Sequence, residues 1–147
     1  MLKDCKRSMA QPTMRCEYAV EVRNPAVLGP EYHSVLAKHS LSHIYNYLYA
    51  MPSLEDQHNK LRSSFTASFV LLRLLTTRDK KYHDAVKAYE PYDKIVKPLP
   101  DMRSETVSLV RHANAVNLRT YVLVNNRSEG NAPLTVQALA DALRPAA

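Results

Sequence analysis

Eight polar residues stand where apolar runs stop. Glu21, Arg23 and Asn24 close Tyr18-Ala-Val-Glu-Val-Arg-Asn24, and Asn46 follows Ile44-Tyr45. Arg73 ends Phe69-Val-Leu-Leu-Arg73, and Asn125, Asn126 and Arg127 follow Tyr121-Val-Leu-Val124. Polar groups bunched at the ends of buried strands are how parallel α/β folds assemble sites, because those ends share one rim. The set holds one carboxylate, three guanidinium groups and four carboxamides. Guanidinium forks grip phosphate or carboxylate oxygens and carboxamides fix orientation, which suits a small phosphorylated or carboxylated ligand. Glu21 is the candidate general acid or base. A nearby Arg23 or Arg73 favours its ionised form and makes it a poor acid at neutral pH. The competing reading is a structural ion pair within the mouth.

The turn after Val124 has its own alternatives. Asn125 and Asn126 can act as turn formers that satisfy local backbone groups. Gly130 supplies an unusual backbone angle there, and Glu129 reads as solvated or capping rather than catalytic.

Other chemistries lack their residues. Gly29 and Gly130 are the only glycines, too few for the glycine-rich dinucleotide turn or the phosphate loop. No glycine-flanked serine elbow occurs, and neither Cys5 nor Cys16 has a histidine at motif spacing. His39 and His43 have helical ligand spacing, but the helical pattern ends between them. Glu55 with His58 gives one copy of a pattern that dimetal sites use twice, so no metal site is expected. No cofactor is indicated, and enzyme or binding protein is left open.

The elements that must position these residues follow from the pattern of apolar side chains. The 147 residues make one domain, with 46% hydrophobic and 23% charged residues, the balance of a folded globular chain. Strands are expected over Glu17–Arg23, Leu41–Asn46, Ser68–Leu74 and Thr120–Asn125, the last two covered on both faces. Helices are expected over Pro30–His39, with Tyr32, Val35 and Leu36 inward, over Met102–Asn117 with Asp101 as cap, and over Asn131–Leu143 with Leu134, Ala138, Leu139 and Ala142 inward. A short helix follows Pro52 with Ser53 as cap, and another spans Tyr82–Tyr89 in a stretch broken by Pro91, Pro98 and Pro100. Strands alternating with helices predict parallel pairing.

The net charge of +6 permits attraction to anions, but the basic residues are scattered. Lys3–Arg15, the most basic stretch, reads as a solvated terminal segment rather than a nucleic-acid arm, and residues 1–14 are expected to be helical or disordered. Tyr45, Tyr47, Tyr49, Tyr89 and Tyr92, interleaved with Lys87 and Lys94, could stack on nucleic-acid bases. The favoured reading buries their rings and leaves the hydroxyls wet. No secretory segment or bilayer-length apolar run is evident, so a cytoplasmic protein without a membrane partner is expected.

Five segments in order carry a family resemblance: Tyr18-Ala-Val-Glu-Val-Arg-Asn-Pro25, Met51-Pro-Ser-Leu54, Phe69-Val-Leu-Leu-Arg-Leu-Leu75, Glu90-Pro-Tyr-Asp-Lys-Ile-Val96 and Tyr121 to Pro133. Together they resemble the YecE-like family, the domain of unknown function seventy-two, over residues 15–147. The resemblance implies the C-terminal half of a TIM-type (β/α)8 barrel, four strand–helix units with the barrel incomplete. It implies no established activity. Four strands cannot close a barrel, so the expectation is a half-barrel that dimerises into a closed barrel, an open four-stranded sheet, or a poorly stable truncated product. The leading functional expectation is a small anionic ligand bound at the strand ends by Arg23, Asn24, Asn46, Arg73, Asn125, Asn126 and Arg127, with Glu21 as acid or base. The alternatives are a non-catalytic nucleic-acid or protein interaction module, or a truncated inactive fragment.

Overall fold

A computed structural model of the chain describes residues 16–78 and 87–144. Four strands, β1 (Ala19–Val20), β2 (Ser42–Tyr47), β3 (Phe69–Leu74) and β4 (Arg119–Val124), form one sheet in that order, and each neighbouring pair is parallel. Helix α1 (Pro30–His39) lies between β1 and β2, α2 (Leu54–Lys60) between β2 and β3, and α3 (Pro100–Ala115) between β3 and β4. Helix α4 (Ala132–Leu143) follows β4. The result is an α/β fold of four parallel strands alternating with helices. The terminal segment expected over 1–14 lies outside the described residues, as does most of the helix expected at Tyr82–Tyr89, of which residues 87–89 are helical. Among the described residues no helix is long and apolar enough to cross a membrane.

Local chemistry explains most helix ends. Pro30 occupies the first turn of α1, Lys38 and His39 complement the dipole at its last turn, and Ser40 leaves it in the left-handed region at φ 52°. Ser53 Oγ accepts from Asp56 N at 3.0 Å to start α2, and Asn131 Oδ1 accepts from Leu134 N at 2.9 Å to start α4. Helix α3 departs from expectation. Asp101 lies inside its first turn, and the cap position is Leu99, whose side chain cannot accept a hydrogen bond.

The helices bury one face of the sheet. Tyr45, Tyr47, Val70, Leu72 and Leu74 pack there with Leu54, Met102, Leu109, Ala113 and Leu139, and Val122 and Val124 flank them. The strand registers place Ile44, Leu71, Arg73, Tyr121 and Leu123 on the opposite face. Burial on both faces was expected for the last two strands. It fails for β4, where Tyr121 is 45% and Leu123 53% exposed, because no helix crosses that side. Val35 and Leu134, expected inward, are also exposed, since the helix stripes are narrower than their apolar content.

Strand β1 is shorter than expected, two residues rather than seven. Ser42 N donates to Tyr18 O, so alternation turns the N–H and C=O of Asn46 toward the same edge of β2. Past Val20 side chains replace the ladder on that edge. Gln57 accepts from Asn46 N at 3.2 Å and donates to Asn46 O at 2.8 Å, while Asn46 Nδ2 donates to Val22 O at 2.8 Å. These bonds satisfy buried backbone groups that a longer β1 would have paired.

Of the two roles expected for Glu129, solvated or capping, the structure shows the second, with the side chain wholly buried. Its Oε1 accepts from Leu99 N at 2.6 Å, supplying the missing cap of α3. Its Oε2 accepts from Arg103 Nη2 at 2.8 Å and from Thr135 Oγ1 at 2.8 Å, and its backbone carbonyl accepts from Val96 N and Lys97 N. Gly130 follows at φ 113°, where an added Cβ would stand 2.7 Å from Lys94 O. Glu129→Ala therefore leaves Arg103 and the Leu99 N–H without their acceptor, and urea unfolding should show a loss of about 3–5 kcal/mol. Glu129→Gln, which keeps an acceptor oxygen, should lose less.

Candidate functional site

Glu21 stands one residue beyond β1 and faces the helix-free side of the sheet. Its Oε1 accepts from Arg23 Nε at 2.8 Å, and its Oε2 accepts from Arg73 Nη1. Arg73 lies on β3, so this bridge passes over β2, a separation of about 10 Å between strand axes. The Glu21 side chain is 15% exposed, that of Arg73 33% and that of Arg23 60%. One carboxylate shared by two guanidinium groups leaves an excess positive charge beside the strand ends. Toward the other end of the sheet Glu17 Oε2 lies 3.6 Å from Arg119 Nη2 on β4, and Ser68 Oγ donates to Glu17 Oε1.

The remaining expected residues divide into two groups. Asn24 Oδ1 accepts from Ala26 N at 3.0 Å and caps the 3-10 turn Pro25–Val27, and Asn46 is fully buried in the β2 edge network. Asn125 Oδ1 accepts from Arg127 N at 3.0 Å, and Asn126 Oδ1 accepts from Ala132 N, the first residue of α4, at 2.9 Å. Both asparagines therefore order the turn, and with Arg127, Tyr92, Val124 and Ala132 they line a cavity of about 300 Å³. Helix α4 begins at that cavity, so its positive dipole end adds to Arg127 there.

A wider concavity of about 590 Å³ is lined by Pro25, Tyr47, Ala50, Met51, Pro52 and Arg78, beyond the ends of β1, β2 and β3. The Arg78 guanidinium lies over the Tyr47 ring at 5.7 Å and 3.9 Å from Glu105 Oε1. Burial raises the Glu105 carboxyl pKa, opposed by the hydrogen bond it accepts from Leu54 N. Sequence reading missed Tyr47, Arg78 and Tyr92 as lining residues. Arg78 carried one signal, since it follows β3 at nearly the offset at which Arg127 follows β4. Nothing in the sequence pairs it with Tyr47.

Residues 2–147 match the family described as "Protein of unknown function DUF72". The chain belongs to the DUF72 family. The YecE-like motifs quoted above are consistent with that membership. Among solved structures this DUF72 chain is similar to a DUF72 family protein from Thermotoga maritima, with a TM-score of 0.61 and 19% identity. The likeness covers 87% of this chain and 46% of that one, so the chain spans about half the length of that structure. At such identity the likeness concerns the fold. No curated protein matches the DUF72 chain.

The buried histidines of this DUF72 protein lie under the sheet, away from the strand ends. His43 Nδ1 is 3.1 Å from Tyr32 Oη and its Nε2 is 3.3 Å from Gln57 Oε1, while His58 Nδ1 is 2.9 Å from Tyr45 Oη. The Tyr45 hydroxyl is therefore bonded inside the core rather than wet, and burial raises its pKa, as it raises that of Tyr32 to about 12. Burial lowers both His43 and His58 to about 4, and His112 beside His58 adds to its shift. Unfolded histidine titrates near about 6.5, so between there and about pH 4 the unfolded chain binds protons that the folded chain does not. Stability should thus be full above neutral pH and fall as pH drops through that window. Thermal melts should show this fall, and His58→Gln should flatten it.

Proposed function

We propose that the four strand–helix units over residues 15–147 form the C-terminal half of a TIM-type (β/α)8 barrel and bind a small anionic ligand at the carboxyl ends of the strands. The observation that carries the ligand reading is the Glu21–Arg23–Arg73 cluster, where two guanidinium groups share one carboxylate. Arg23, the more exposed, is free to turn toward a carboxylate or phosphate, while Arg73 is held by the sheet. Arg127 and the start of α4 form a second electropositive wall, with Asn125 and Asn126 ordering the loop between β4 and α4. Asn24 and Asn46 support this rim through backbone bonds rather than by touching ligand.

Glu21 is the group in reach for proton transfer. Both of its oxygens accept from arginines, so its role is that of a base or of a counterion released when ligand engages Arg23. The half-barrel reading draws support from the parallel sheet, the bridges across its helix-free face, and the likeness to a structure about twice as long.

Inorganic phosphate serves as the probe. At matched ionic strength it should raise the melting temperature relative to chloride, because a ligand that binds only the folded chain stabilises it. Arg73→Met and Arg127→Ala should each weaken that binding about tenfold or more in calorimetric titration, the scale of losing a hydrogen bond to a charged group. Phosphate binding that neither substitution changes would sink the proposal.

A further inference from the structure

The outer strands of the sheet are unfinished. Among the described residues neither β1 nor β4 carries a strand on its outer edge. Asn125 N donates to Leu74 O, so the alternation of the strand turns the N–H groups of Thr120, Val122 and Val124 away from β3. Parallel sheets are ordinarily covered on both faces. On the helix-free face Phe69 of β3 is 7% exposed, while Tyr121 and Leu123 on β4 are half exposed, so cover is lost toward that edge. The bridges from Glu17 to Arg119 and from Glu21 to Arg73 draw the first strand toward the fourth and third across this face, as a concave sheet allows.

We infer that a second copy of this chain covers the concave face, with β4 of each copy pairing with β1 of the other about a two-fold axis along the strands. That axis keeps all strands parallel and makes both junctions the same contact, so no edge remains. Eight strands are also the number whose interior side chains fill. Two copies match the length of the Thermotoga maritima structure, of which this chain covers 46%. The sequence of 17–23 fits the same arrangement. It is β-forming over seven residues, yet Gln57 and Asn46 confine its ladder with β2 to two of them, and a strand on the outer edge gives the segment a second partner. Tyr121 and Leu123 then enter the barrel core, and the mouth receives Glu21, Arg23 and Arg73 from two opposite walls. The inference rests on the half-barrel part of the proposed function and not on its ligand.

Sedimentation velocity of the full chain at tens of micromolar tests it. The expected result is a mass twice the 16.7 kDa of one chain. Leu123→Arg should return it to one chain with unchanged far-UV circular dichroism, while Val136→Arg, at an exposed position on α4, should leave the dimer intact. A folded monomer, a larger assembly, or a dimer that survives Leu123→Arg overturns the inference. Should Leu123→Arg unfold, hydrogen exchange on the unaltered protein decides: slow exchange at Thr120, Val122 and Val124 supports the β4 edge contact, and fast exchange overturns it. A monomer whose melting temperature still rises with phosphate would separate failure of the dimer from failure of the ligand reading.

Discussion

A carboxylate with no exposed surface holds the end of the sheet in place. Taking a charge out of water costs several kcal/mol, and Glu129 offsets that cost by accepting from Arg103, from Thr135 and from the backbone of Leu99. The donors belong to two pieces of chain: the cap and first turn of α3, and the first turn of α4. The backbone carbonyl of the same residue holds Val96 and Lys97, and the next residue, Gly130, packs where a Cβ would collide with Lys94 O. The turn from Asn125 to Asn131 is thereby clamped between two helix starts and the segment before α3. That clamp, with the Asn125 and Asn126 bonds within the turn, sets Arg127 and the start of α4 against the strand ends.

The two faces of the sheet are held by different forces. Toward the helices, aliphatic and tyrosine side chains close a dry core, in which Tyr45 bonds His58 while His58 Nε2 and Thr106 Oγ1 are buried without a hydrogen-bond partner. The shifted histidines are a consequence of that dryness, since desolvation disfavours the imidazolium. On the other face charges span the strands, with Glu17 and Glu21, which flank the first strand, reaching arginines on the fourth and third. Ion pairs this exposed contribute little to stability on their own. Their value here is geometric, because they keep guanidinium groups gathered on the helix-free face.

Where short-range chemistry sufficed, the elements were legible. Pro30 to His39 reads as a helix because proline, the first-turn acid and the last-turn bases all agree, and Ser53 and Asn131 announce their helices by side chains that bond three residues onward. Where a partner from elsewhere decided the outcome, reading failed. Asp101 resembles a cap, but the cap of α3 comes from Glu129, thirty residues from Leu99. The strand expected over Glu17–Arg23 shrank to two residues because Gln57 and Asn46 occupied the edge that its ladder needed. Asn46 itself, a rim candidate by position, is buried by that same substitution.

By itself the sequence determined the order of strands and helices, their parallel pairing, and the presence of Glu21, Arg73 and the Asn125–Arg127 turn near strand ends, because these depend on local periodicity and on residue type. Tertiary structure alone decided which of those polar groups meet. Glu21 reaches Arg73 across an intervening strand, Asn24 and Asn46 turn to the backbone, and Arg78 settles over Tyr47. Such pairings depend on register, curvature and burial, which arise from contacts between residues distant in the chain and so leave no local mark in it.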